Sequence, residues 1–122
     1  MFNHGGKLLI AGNGGLASDA EHFVGVLMKG FEKLRKLSGE YRGKLELVDK
    51  EMRAILRDNL QGSLPAIALA GHFALTTAYM NACEPLLCFV QQVNGFGMPG
   101  GCILGNFDFW KFKGCHLCGY SS

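Results

Sequence analysis

An apolar run that breaks into closely spaced glycines constrains this chain more than any other feature. Leu8, Leu9, Ile10 and Ala11 have the length and flanks of a buried parallel strand. The run ends in Gly12, Asn13, Gly14 and Gly15, where backbone amides approach a ligand with no Cβ in the way. Ser18 or Asp19 then caps a helix predicted over residues 19–36. Strand, glycine turn and helix N-terminus form an anion site, because the orphan N–H groups and the helix dipole point the same way. His22 lies one turn into that helix. The segment suits a phosphorylated small molecule. The glycines alone do not specify one, since the spacing is not G-x-G-x-x-G and tight turns also use glycine for steric reasons.

The remaining pattern places this junction in an α/β unit. Phe23, Leu27, Phe31 and Leu34 recur at helical spacing and predict the buried stripe of the first helix. Ser38, Gly39 and Gly43 break that pattern. A second amphipathic helix is expected with Val48, Met52, Ile55 and Leu56 opposite Glu46, Lys50, Arg53 and Arg57. Gly62 and Pro65 introduce a second strand over 66–69. Residues 73–80 read as a third helix, and Pro85 opens a fourth toward Val93. Asn94-Gly95 and residues 97–101 are turn chemistry. Alternating strands and helices predict a parallel sheet with right-handed crossovers, the two strands adjacent.

Composition removes other function classes. A chain of 122 residues has room for one core. Net charge is +2 with mixed signs, which is no footprint for nucleic acid. Apolar residues are dispersed, so no membrane partner is expected, and Met1-Phe-Asn-His lacks a signal-peptide layout. Five cysteines without a leader read as reduced thiols, and the expected compartment is the cytoplasm.

The longer string around the glycines carries a resemblance. Residues 12–23, GNGGLASDAEHF, resemble the first loop of the phosphoheptose isomerase group of the sugar isomerase (SIS) domain family, G-N-G-G-S-A-x-D-A-x-H-F. The likeness continues through residues 60–69 (LQGSLPAIAL), 74–78 (ALTTA), Asn81 and 91–97 (QQVNGFG), covering residues 5 to about 100. It implies a three-layer, Rossmann- or flavodoxin-like parallel sheet, incomplete here, with residues 1–100 a partial SIS domain. For an intact relative it implies conversion of sedoheptulose 7-phosphate to a heptose 7-phosphate, in a homo-oligomer with a zinc-assisted base.

Carried over residue by residue, the resemblance implies a substrate loop at Asn13, Gly14 and Gly15, a substrate contact at Asn81 and a metal ligand at His22. The family's carboxylate four residues after that His is Val26 here, which neither ligates nor accepts a proton. Leu16 stands where the loop has serine, and Ala82 where an Asp adjoins the Asn. No residue is therefore assigned a catalytic role, and tight zinc binding is not expected. Glu21 points about 100° from His22 on a helix and replaces the lost carboxylate poorly. His22 and His72 each have an ordinary structural reading, as a helix-start and a turn residue.

Residues 101–122, GCILGNFDFWKFKGCHLCGYSS, keep no clean period. The family has there a third strand and a serine-rich loop similar to G-D-V-x-x-x-I-S-T-S-G-N-S. A set of allowed codons for 101–114, read one base later, yields Asp-Val-Phe-Trp-Ala-Ile-Ser-Thr-Ser-Gly-Asn-Ser-Lys. The segment thus reads as an out-of-frame, irregular tail. Cys115 and Cys118 have metal-ligand spacing, but no second pair accompanies them. The residues leave two function classes: a phosphosugar isomerase domain with impaired turnover, or a non-catalytic phosphosugar-binding or protein-interaction module.

Overall fold

The computed structural model describes residues 2–30 and 32–105. In chain order these form β1 (Leu8–Ala11), α1 (Gly15–Met28), α2 (Gly39–Glu46), α3 (Arg53–Asn59), β2 (Ala66–Ala68), α4 (Phe73–Ala82), α5 (Cys88–Phe96) and β3 (Cys102–Gly105). Short 3-10 turns at Phe2–His4, Leu69–Gly71 and Pro85–Leu87 precede β1, α4 and α5. Apolar runs of three or four residues between glycine and proline breaks can bury both faces only as short parallel strands. They do so here. β1 lies at the centre of the order β2-β1-β3 and pairs in parallel with both neighbours, with Leu9 opposite Ile67 on one side and Ile103 on the other.

Alternation along β1 sends its side chains into two layers. Leu9, with 2% of its surface exposed, joins Leu69 and Val93 in the core, with Ile67, Phe89, Phe96 and Ile103 packed around them. Ile10 and Leu104 turn the other way, toward Leu16, Ala20 and Phe23 of α1. Helix α5 thus covers one face and α1 the other. This is the three-layer α/β architecture, in incomplete form, that the alternating pattern and the resemblance led us to expect.

Three helical expectations need correction. Helix α1 starts at Gly15 and stops at Met28, eight residues short of the predicted end, with Gly14 as N-cap and no side-chain cap. Ser18 and Asp19 lie inside the helix, past its N-cap. The early stop has a cause. The Arg35 guanidinium donates to the carbonyls of Val26 (3.3 Å), Leu27 and Gly62 (2.8 Å for the last), while Leu64 N–H also donates to the Leu27 carbonyl at 3.0 Å. Last-turn carbonyls that a longer helix would have used are thus satisfied by a returning chain. The inward stripe is also different. Ala17, Ala20, Val24 and Leu27 are buried or half-buried, whereas Phe23 is 57% exposed and Leu34 70% exposed. Small residues let the helix lie close on the sheet and leave Phe23 outside. Phe31 lies outside the described residues.

The second amphipathic helix is two helices. Ser38 caps α2 by accepting from Tyr41 N–H, and Asp49 accepts from the N–H groups of Glu51 and Met52 between the two. These side chains take backbone donors that a continuous helix would have paired internally. Leu47, Val48 and Ile55 remain exposed, although Leu56 is half-buried. Asn94-Gly95 is not a turn but part of α5, and the turn comes later, at Pro99–Gly100, with Gly100 at φ 78°.

The expectation of an irregular tail fails at its start. Cys102–Gly105 is a parallel strand on β1, with Cys102 N–H donating to Lys7 O at 3.0 Å. Cys102, Ile103 and Leu104 are strand-compatible side chains that supply the pairing β1's second edge needs. The rest of the tail, including Cys115 and Cys118, lies outside the described residues.

Candidate functional site

From β1 the chain passes to β2 on one side, then crosses to β3 on the other, so the topology reverses at β1. In open parallel α/β sheets the crevice outside the carboxyl ends of the strands at such a point is the ligand site. The glycine turn lies there. Gly12 is buried, and a Cβ on it would stand 2.5 Å from the carbonyl oxygen of Leu16. Gly14 has φ 57° and ψ −128°, a conformation open to glycine but costly for other residues. The turn closes through Leu16 N–H to Asn13 O and Ala17 N–H to Gly14 O, both 3.1 Å. Among the described residues no partner engages the N–H groups of Gly14 or Gly15. With no side-chain cap on α1, these amides are left as orphan donors at the positive end of the helix.

A groove of about 220 Å³ runs beside the turn, lined by Ile10, Ala11, Leu16, Asp19, Phe23 and Leu104 among others. Its walls are apolar apart from Asp19. A larger cleft of about 480 Å³ lies at the amino ends of β1 and β3, between Lys7, Leu9, Val93, Asn94 and Met98. Size favours the second cleft. Chemistry favours the first, because it opens next to the glycine turn and the start of α1, and that is where we place the site.

The expected site residues divide. Asn13, Gly14 and Gly15 form the turn, as anticipated from the sequence. His22 is exposed in the second turn of α1, and Val26, 38% exposed, is four residues further. No group of three or more His, Cys, Asp or Glu able to share a metal occurs among the described residues. His22 with Val26 does not make a zinc site, and no chemical step is assigned to zinc in this chain. Asn81 is exposed near the end of α4, where its amide donates to Thr77 O at 2.9 Å. That helix packs against α5 and the Pro85–Leu87 turn, so Asn81 is not brought to the glycine turn by the described contacts.

Two residues gain importance. A Glu21 carboxylate oxygen lies 3.6 Å from where a Cβ of Gly71 would stand, bringing α1 against the turn after β2. Next in that turn is His72, half-buried and stacked on Phe96 with ring centroids 5.3 Å apart. The signal for Glu21 was present in the sequence. It sits four residues after Ala17, at the border of the stripe that packs on the sheet, and the large Phe23 side chain drew the inward face elsewhere.

No helix among the described residues is long and apolar enough to cross a membrane. No family model matches the chain, and no solved structure matches it. Curated proteins do. A "Probable phosphoheptose isomerase" of Thermoplasma volcanium is 32% identical over 105 residues, 86% of this chain and 40% of the relative. The "Phosphoheptose isomerase" of Crocosphaera subtropica is 35% identical over 105 residues, with the same shares. That of Synechocystis sp. is 33% identical over 104 residues, 85% of this chain and 40% of the relative. The chain thus spans about two fifths of the length of the curated relatives it matches. The glycine turn, the parallel sheet and several relatives over 85–86% of this chain together support its assignment to the phosphoheptose isomerase family.

Proposed function

We propose that the crevice outside the carboxyl edge of the sheet at β1 binds a phosphorylated sugar, with the phosphate on the Gly14 and Gly15 amides. The observation that carries this reading is the uncapped start of α1 on a glycine turn at the sheet's reversal point. Orphan N–H groups and a helix dipole stabilise a dianion without any basic side chain. The relatives' name supports a phosphoheptose as the sugar. On the same reading the protein acts in the cytoplasm as a homo-oligomer, with neither nucleic acid nor membrane as partner.

We infer further that aldose–ketose turnover by this chain is impaired. Such a reaction moves a proton between adjacent carbons and needs a base poised beside them. Val26 offers none, Leu16 removes a hydroxyl from the loop, and residues 101–120 contain no serine to stand for the family's second loop. We read residues 101–122 as out of frame, although Cys102–Gly105 pairs with β1 as it stands. Sequencing the DNA across codons 98–101 tests it: an extra or missing base against relatives supports the change, and a continuous frame removes it. A binding or regulatory module is the other reading, favoured by the same Val26.

Calorimetric titration with sedoheptulose 7-phosphate tests the binding reading. Saturable binding, weakened at least about tenfold for sedoheptulose without the phosphate, is expected if the turn amides supply one charge-assisted hydrogen bond or more. Equal affinity for the two sugars would move the phosphate away from the turn.

A further inference from the structure

We propose that Glu21 and His72 hold the sugar end of the ligand, opposite the phosphate. The inference rests on the phosphosugar reading and adds to it the groups that recognise the polyol. Glu21 is six residues along α1 from Gly15, about 9 Å at the helical rise. That is a span suited to a phosphorylated sugar of six or seven carbons anchored at the helix start. Its carboxylate lies 3.6 Å from the Cβ position of Gly71, so the acid and the turn after β2 meet at the carboxyl edge of the sheet.

His72 is fixed there in two ways. Its carbonyl accepts from both Thr76 N–H and Thr76 Oγ1 at 3.0 Å, which pins the backbone. Its ring lies on Phe96 at 5.3 Å with 26° between planes, which sets the imidazole plane. An oriented imidazole donates or accepts in one direction, and the carboxylate against the adjoining Gly71 accepts from hydroxyls. Together they read vicinal hydroxyls and the carbonyl of an open-chain sugar, whereas the turn amides read only the phosphate. Few polar groups converging at one end of a site are what orientation requires.

The test separates the two ends. Wild type, Glu21→Gln and His72→Asn are titrated with sedoheptulose 7-phosphate and with inorganic phosphate, and amide spectra confirm the fold of each. Each variant is expected to weaken sugar phosphate about tenfold, as for loss of one hydrogen bond to a charged or oriented group, and to leave inorganic phosphate unchanged. Unchanged sugar-phosphate affinity in both variants overturns the proposal. Equal losses for both ligands overturn it too, because the effect would then reach the phosphate end. If wild type binds neither ligand, the phosphosugar reading itself fails, a result distinct from the other two.

Discussion

Purified protein given sedoheptulose 7-phosphate is expected to turn it over at least about 10²–10⁴ times more slowly than the Crocosphaera subtropica relative assayed beside it. That factor is what a positioned general base contributes. Val26 sits four residues after His22 on α1, on the same helical face, and an isopropyl group cannot take a proton there. Val26→Glu together with Leu16→Ser is expected to leave the rate near background. The pair restores a carboxylate and a hydroxyl but not the second loop, and groups that act as a unit contribute little singly. A rate within tenfold of the relative would show that another group, with Glu21 the nearest candidate on α1, already serves as base.

The second large effect is on the turn itself. Gly12→Ala is expected to destabilise the fold by about 1–3 kcal/mol, the range for overpacking, and to lower sugar-phosphate affinity more than about tenfold. The new Cβ would stand 2.5 Å from Leu16 O and 2.7 Å from its carbonyl carbon. Both are backbone atoms of the first helical turn, so relief requires α1 to shift from the end of β1. Gly15→Ala is the control. Its Cβ meets nothing within 4 Å, and alanine suits a helix, so stability should hold or rise by a few tenths of a kcal/mol. Urea melts and calorimetry on both variants check the contrast. Similar losses in the two would mean that the turn is not tightly determined.

Much of the frame was legible in the residues, and the parts that were not have local causes. Strands β1 and β2 announce themselves as short apolar runs before glycine or after proline. Their parallel pairing comes from the helices between them. The start of α1 was misjudged because Ser18 and Asp19 carry capping side chains, while the actual N-cap is Gly14, whose positive φ no propensity reveals. Its end was hidden for another reason. Arg35 reaches back to the last-turn carbonyls, a tertiary contact that periodicity cannot contain. Ser38 looked like a break and proved to be a cap for α2.

The site divides the same way. Asn13, Gly14 and Gly15 are legible because their chemistry is local to one turn. Glu21 and the turn of Gly71 and His72 are separated by about fifty residues and come together only once β1 and β2 are paired, so the spacing of either says nothing about the other. Asn81 shows the reverse: a residue carried over by likeness whose amide bonds its own helix at Thr77. The strand at Cys102–Gly105 shows that a short apolar triplet beside an open edge of a parallel sheet can pair without a longer period behind it.

The placement of the phosphate on the glycine turn is tested most directly by backbone amide NMR during titration with inorganic phosphate and then sedoheptulose 7-phosphate. The expected result is saturable movement of the Gly14 and Gly15 amide resonances with both ligands, since two orphan donors at a helix start gain the same anion in each. Shifts confined to Lys7, Asn94 and Met98 at the amino-edge cleft, with Gly14 and Gly15 unmoved, would contradict it.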